Sequence, residues 1–216
     1  MNRREFSAGT ACIVAAASLG LSPLAWAQKM PEDGDDYKSL DKRAPTDAPS
    51  GKIEVVEFFW YSCPHCYAFE PKLVAWGKKL PADVVLRRVP VAFRDDFVPQ
   101  QRLFYTLEAM GKLDELHQKV FDSIHKQQQP TNREELILKF AQDNGLDRAK
   151  FQELYNSFSI STKARKATQL QNAYAVEGVP ALGVAGRYYV DGDLAKGMDR
   201  ALMVVEYLVG EARKAK

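Results

Sequence analysis

Hydrophobic and polar positions along the chain fall into two kinds of pattern. "KIEVVEFFWY" (52–61) is almost unbroken and rich in β-branched and aromatic residues, which predicts a strand buried on both faces. A helix is expected from about Cys63 to Lys79, and "VVLRRVPVAF" (84–93) predicts a second strand. Strand, helix and strand in that order make a β-α-β unit with a right-handed crossover. The pattern then changes. Leu113, Leu116, Val120, Phe121 and Ile124 recur at helical spacing. Thr131 to Glu134 reads as a capping box ahead of "LILKFA". Asn144-Gly145 stops that helix, and Asp147 caps the next one, through "FQELYNSF". Another helix is expected from about Ser161 to Val176. "VPALGVAGRYYV" (179–190) predicts two short strands turning at Ala185-Gly186. The last helix, "MDRALMVVEYLVGEARKA", carries Leu202, Val205, Leu208 and Val209 on its apolar face. Residues 28–52 are polar and punctuated by Pro and Gly, a loose leader with at most one short strand near Tyr37 to Leu40. The whole reads as an α/β frame interrupted by an all-helical block.

The start of the chain changes the picture of where it works. Residues 1–27 have a basic start (Arg3, Arg4), an Ala-rich apolar middle and Ala25-Trp26-Ala27, a small-x-small cleavage signature. The clean apolar run from Ala8 to Leu21 is shorter than the roughly 20 residues a membrane span needs, and Pro23 follows it. A cleaved export signal is expected. Arg3-Arg4-Glu5-Phe6 resembles a twin-arginine signal, and both the twin-arginine and the Sec routes stay open.

Cleavage alters both the charge and the cysteine count. The full chain has 30 basic and 28 acidic residues; removing Arg3, Arg4 and Glu5 leaves 28 against 27. That balance gives no electrostatic reason to expect nucleic acid or an anionic membrane as partner. Cys12 goes with the signal, so Cys63 and Cys66 are the only thiols left in about 190 residues. With 46% hydrophobic residues the chain can bury a full core without a disulfide scaffold.

Two cysteines in "FFWYSCPHCYAFEP" (58–71) can clamp a metal, staple a loop or exchange electrons. A zinc site needs four ligands, and no second Cys pair exists. His117 lies among Leu113, Val120 and Phe121 and reads as a core or boundary residue; His125 reads as a surface residue near a helix C-terminus. No metal or cofactor is expected. A bridge across two residues closes a very short loop and constrains the unfolded chain little. Redox chemistry fits better. Pro64 suits the first helical position, which puts Cys63 at the N-cap, facing unpaired backbone N–H groups and the positive end of the helix dipole. His65 adds a positive or donating group beside it. Cys63 is therefore the expected thiolate, several units below its reference pKa of about 8.5, with Cys66, one turn in, as the resolving thiol.

The stretches "EFFWYSCPHCYAFE" (57–70), "LPADVVLRR" (80–88) and "GVPALGVAGRY" (178–188) resemble the DsbA family of periplasmic thiol:disulfide oxidants. Cys66 and Pro180 stand 114 positions apart, a separation that the helical block accounts for and that thioredoxin itself lacks. The resemblance implies an α/β thioredoxin fold with a large all-helical insertion, 28–94 and 169–216 forming the frame and 95–168 the insertion. It implies a Cys-Pro-His-Cys redox centre, a cis bond at Pro180 that opens the Val179 backbone to a substrate strand, and a monomer. Its partners would be newly exported cysteine-containing proteins and a DsbB-like, quinone-linked membrane protein that reoxidises it. Glu70 and Arg88 fall where the family carries an acidic and a basic residue near the redox site, here Arg rather than the more familiar Lys; a pKa-tuning role and a surface salt bridge both fit them. Glu57 reads either as an edge-strand carboxylate facing water or as a buried one of raised pKa that shuttles the Cys66 proton. A reductase, an isomerase or a substrate-dedicated relative shares these motifs. A metallochaperone or holdase retaining the fold is the reading from another class.

Overall fold

The computed structural model describes residues 30–215, so the signal segment, Cys12 and the twin-arginine motif lie outside the described residues. Among the described residues are five strands: β1 (Lys38–Ser39), β2 (Ile53–Phe59), β3 (Val84–Pro90), β4 (Ala181–Val184) and β5 (Tyr188–Asp191). They form one sheet in the order β1-β5-β4-β2-β3, with β2 parallel to β3 and antiparallel to β4. Seven α-helices accompany them: α1 (Pro64–Gly77), α2 (Val98–Ala109), α3 (Leu113–His125), α4 (Glu134–Asp143), α5 (Arg148–Tyr155), α6 (Phe158–Ala173) and α7 (Met198–Lys214).

The unbroken apolar run of β2 becomes a central strand in which every residue is buried. Alternation sends Ile53 and Val55 into one core, with Phe69, Leu73 and Trp76 of α1 and Leu202, Val205, Leu208 and Val209 of α7. Each of those α7 side chains contributes roughly 1.5–3 kcal/mol by leaving water. Val56 and Phe58 enter the second core with Leu103, Phe104 and Leu107 of α2 and Phe121 of α3. The β4–β5 turn has Ala185 and Gly186 both at positive φ (54° and 68°), the primed geometry that matches strand twist. Gly183 is required by space: a Cβ there would sit 2.3 Å from the ring of Tyr174, whose hydroxyl accepts the Gly186 N–H.

Several expectations are corrected. The capping box does not form. Thr131 is buried with its hydroxyl unbonded, Arg133 occupies the N-cap without a side-chain bond, and α4 starts at Glu134. Glu134 and Glu135 in the first turn meet the positive helix end instead. Helix α6 starts at Phe158 rather than Ser161, because the Ser157 hydroxyl accepts the Ile160 N–H. Helix α2 had no sequence signal, since polar Gln100, Gln101 and Thr106 interrupt its buried face. Strand β3 stops at Pro90, short of Phe93. Asp147 caps α5 as expected. No helix among the described residues is long and apolar enough to cross a membrane.

Candidate redox site

Strand β2 ends at Phe59, and four residues later the chain enters α1 with Cys63 as N-cap and Pro64 at the first helical position. Both cysteines are free thiols in this structure. The Cys66 N–H points at the Cys63 sulfur at 3.4 Å, and the Cys63 thiol faces the Val179 carbonyl, also at 3.4 Å. The Val179–Pro180 peptide bond is cis. Sequence positions 116 apart thus meet at one sulfur.

The two sulfurs are driven in opposite directions. Cys63 is lowered to about 6. The hydrogen bond from the Cys66 thiol is the largest cause; burial opposes it, and the backbone N–H groups of Cys66 and His65, with the charge on exposed His65, add to it. Cys66 is fully buried, and that burial pushes its pKa far up, helped by its bond to Cys63 and by the nearby charges of Cys63 and Glu57. One sulfur is poised as a thiolate and the other held as a thiol.

Two buried carboxyls, Glu57 and Glu70, and the half-buried Arg88 form a charged set of their own. Glu57 is 1% exposed in the central strand, which removes the edge-strand reading. Glu70, on α1, is 2% exposed, so its contact with Arg88 is not a surface salt bridge. Arg88 stands beside Glu57 in the β2–β3 register; its Nη2 donates to Glu70 Oε1 at 2.7 Å, and its Nε lies 3.2 Å from Glu57 Oε2 without hydrogen-bond alignment. A useful contrast sits three residues earlier. Glu54 is equally buried, but Arg87 grips it through two hydrogen bonds and the Asp47 N–H donates to it. Glu57 has neither oxygen hydrogen-bonded. Burial, then the Glu70 charge, raises its pKa well above the usual carboxylate range, with Arg88 acting the other way.

Two histidines are placed differently from their sequence reading. His117 is buried as expected, but it also accepts or donates at Nδ1 to the Tyr61 hydroxyl (2.8 Å) and brings Nε2 to 3.6 Å from Glu70 Oε2. His125 is not a free surface residue: its Nε2 bonds the Tyr61 carbonyl at 2.8 Å and its ring stacks on Tyr67. Helical spacing put His117 on the apolar face of α3; nothing in the sequence showed Tyr61 and Glu70 opposite it. Among the described residues no group of three or more His, Cys, Asp or Glu side chains is arranged to hold a metal ion.

Comparison with known proteins matches this arrangement. The family model for the DSBA-like thioredoxin domain matches residues 54–209. The thiol:disulfide interchange protein DsbA of Bordetella pertussis is 42% identical over 204 residues, 94% of this chain and 96% of the relative. That of Pseudomonas aeruginosa is 43% identical over 182 residues, 84% and 86% of the two chains. The crystal structure of Pseudomonas aeruginosa DsbA superposes with a TM-score of 0.79 at 43% identity, covering 84% of this chain and 94% of that one. DsbA from Xylella fastidiosa gives a TM-score of 0.79 at 31% identity, covering 86% and 99%. With a central strand feeding a Cys-Pro-His-Cys helix start, and with relatives of this likeness over nearly their whole length, the chain belongs to the DsbA-like thioredoxin-domain family and is a thiol:disulfide oxidoreductase.

Proposed function

We propose that the protein donates its Cys63–Cys66 disulfide to newly exported, cysteine-containing proteins in the bacterial periplasm, acting as a monomer. The observation that carries this direction is the opposite displacement of the two sulfurs. A substrate thiolate attacks Cys63, forming a substrate–Cys63 bond and breaking the Cys63–Cys66 bond. Cys66 leaves as a thiolate and takes the proton of the Glu57 carboxyl. A second substrate thiolate then attacks the substrate sulfur of the mixed disulfide and releases Cys63 as a thiolate. Two electrons pass from substrate to protein, and the substrate gains one disulfide.

The thiolate sets part of the driving force. Lowering a thiol from its ordinary value of 9.0 to about 6 favours the reduced form by about one pH unit at pH 7. That is at most ~1.4 kcal/mol, before trimming by water on the open side of the sulfur, and about 30 mV in potential. Substrate would lie along the Val179 backbone as an added strand, with the 95–168 block as a cap over the 28–94 and 169–216 frame; helix α6 runs across that boundary. In this reading Pro64 and His65 favour the Cys63 thiolate, and Glu70 and Arg88 hold the charge balance around Glu57. A DsbB-like, quinone-linked membrane protein would return the disulfide.

Oxidative refolding of a reduced, unfolded disulfide protein tests the direction. The oxidised protein should restore substrate disulfides and activity in stoichiometric amounts. Acceleration only of insulin-type reduction, with no disulfides delivered, would instead mark a reductase.

A further inference from the structure

Glu57 and Glu70 are two buried carboxyls set against one half-buried cation, Arg88. Ionising both carboxyls leaves an unpaired negative charge away from water, so one proton stays within the pair. Which carboxyl keeps it matters, because the charge of Glu57 acts on Cys66. We infer that His117 is the positioning residue that makes this choice: its ring proton favours the ionised form of Glu70 and leaves the proton on Glu57. The inference rests on the reading of Glu57 as the proton partner of Cys66.

The ring's surroundings assign its tautomer. Phe59, Phe104 and Phe121 meet His117 edge-on and Tyr61 meets it at a tilt, so few polar partners reach it. At Nδ1 the partner is the Tyr61 hydroxyl, 2.8 Å away; Nε2 has no hydrogen-bond partner, and Glu70 Oε2 lies 3.6 Å from it. If Nδ1 carried the proton, the bare lone pair of Nε2 would face a carboxylate and the buried Tyr61 hydroxyl would lose its acceptor. With the proton on Nε2, Tyr61 donates to Nδ1 and the positive end of the N–H dipole stands 3.6 Å from Glu70 Oε2, an electrostatic rather than a hydrogen-bonded contact. Burial lowers the pKa of His117, with the Arg88 charge adding to this and Glu70 and Asp114 opposing it, so the ring acts as a neutral donor. The charged and titratable groups that face the set are then Glu57 from β2, Glu70 and Cys66 from α1, Arg88 from β3, Asp114 from α3 and the Tyr61 hydroxyl. Arg88 leans the same way as His117, since it hydrogen-bonds Glu70 but not Glu57.

Carboxyl carbon-13 titration of the reduced full-length protein reads the proton's place directly. In the parent, Glu57 should stay protonated across neutral pH. His117→Phe keeps an aromatic ring but removes the N–H; the Glu57 midpoint should fall by about one pH unit or more. The pH profile of substrate oxidation should shift with it. His117→Gln places an amide N–H near the Nε2 position and should restore the parental titrations, which packing alone would not do. Tyr61→Phe removes the group that fixes the tautomer and should move the Glu57 midpoint in the same direction as His117→Phe, to a smaller extent. Unmoved carboxyl titrations in His117→Phe and Tyr61→Phe, or a Gln variant that behaves like Phe, would overturn the inference. If Glu57→Gln oxidises substrate at the parental rate, the shuttle role of Glu57 fails while the titrations still decide the role of His117.

Discussion

Iodoacetamide should alkylate Cys63 in the reduced protein at pH 7 about 3–6-fold faster than a cysteine of unperturbed pKa, and Cys66 hardly at all. The thiolate is the reactive form. With its pKa lowered to about 6, Cys63 is about nine-tenths thiolate at pH 7, against about one-hundredth for a thiol at 9.0. Cys66 is fully buried and shifted the other way, so both access and ionisation protect it. Lower intrinsic nucleophilicity of an acidic thiol cuts that roughly 90-fold advantage in thiolate by about 16–32-fold over three pKa units, leaving about 3–6-fold. The two sites are separated by peptide mass mapping at several quench times. The rate at Cys63 should fall as pH drops through about 6. Equal labelling of both cysteines, or a Cys63 rate that climbs only above pH 8, would mean that the helix start does not hold a thiolate.

Glu57→Gln should leave a slower enzyme in a more stable protein. During oxidation of substrate, Cys66 must leave as a thiolate in a site closed to water, and positioned proton transfer contributes ~10²–10⁴-fold to such steps. A loss of ten- to a hundredfold at pH 7 is expected in stopped-flow oxidation of a dithiol peptide. The stability change has the opposite sign. A carboxyl whose folded-state pKa is raised supports the fold below its unfolded value of 4.5 and costs stability as pH rises through its folded value. Glutamine is neutral throughout, so the variant should gain by at least the ~1.4 kcal/mol that one pKa unit represents, at pH 8. Parental rate with lowered stability would make Glu57 a packing residue.

The frame was legible because its signals are local and strong. The run of β2, the Pro64 start of α1 and the apolar face of α7 each announce themselves within a few residues. Cys63 was readable for the same reason, since an N-cap sulfur follows from a proline at the next position. What escaped depends on distant partners. Glu54 and Glu57 look alike in the sequence, yet one is gripped by Arg87 and the other left without a hydrogen bond. His125 looked like a surface residue because the Tyr61 carbonyl that it bonds lies 64 positions away. Helix α2 hid because its buried face is partly polar: Gln101 reaches the Pro90 carbonyl and Gln100 the Ser62 hydroxyl, bonds that pay for burial and that no periodicity reveals.

The central claim is that a thiolate at Cys63 stabilises the reduced form, and its most direct measure is the melting temperature of the reduced protein minus that of the oxidised protein, followed from pH 5 to pH 8. Only the reduced form carries the lowered Cys63 pKa. Because that pKa is depressed, its stabilisation is present at high pH and is lost as pH falls through about 6. Between pH 5 and pH 8 the difference should grow by at most ~2.6 kcal/mol, about 5–10 °C for a chain of this size, with the reduced protein melting higher at pH 8. A difference that does not change with pH, or one that favours the oxidised form increasingly as pH rises, would contradict it.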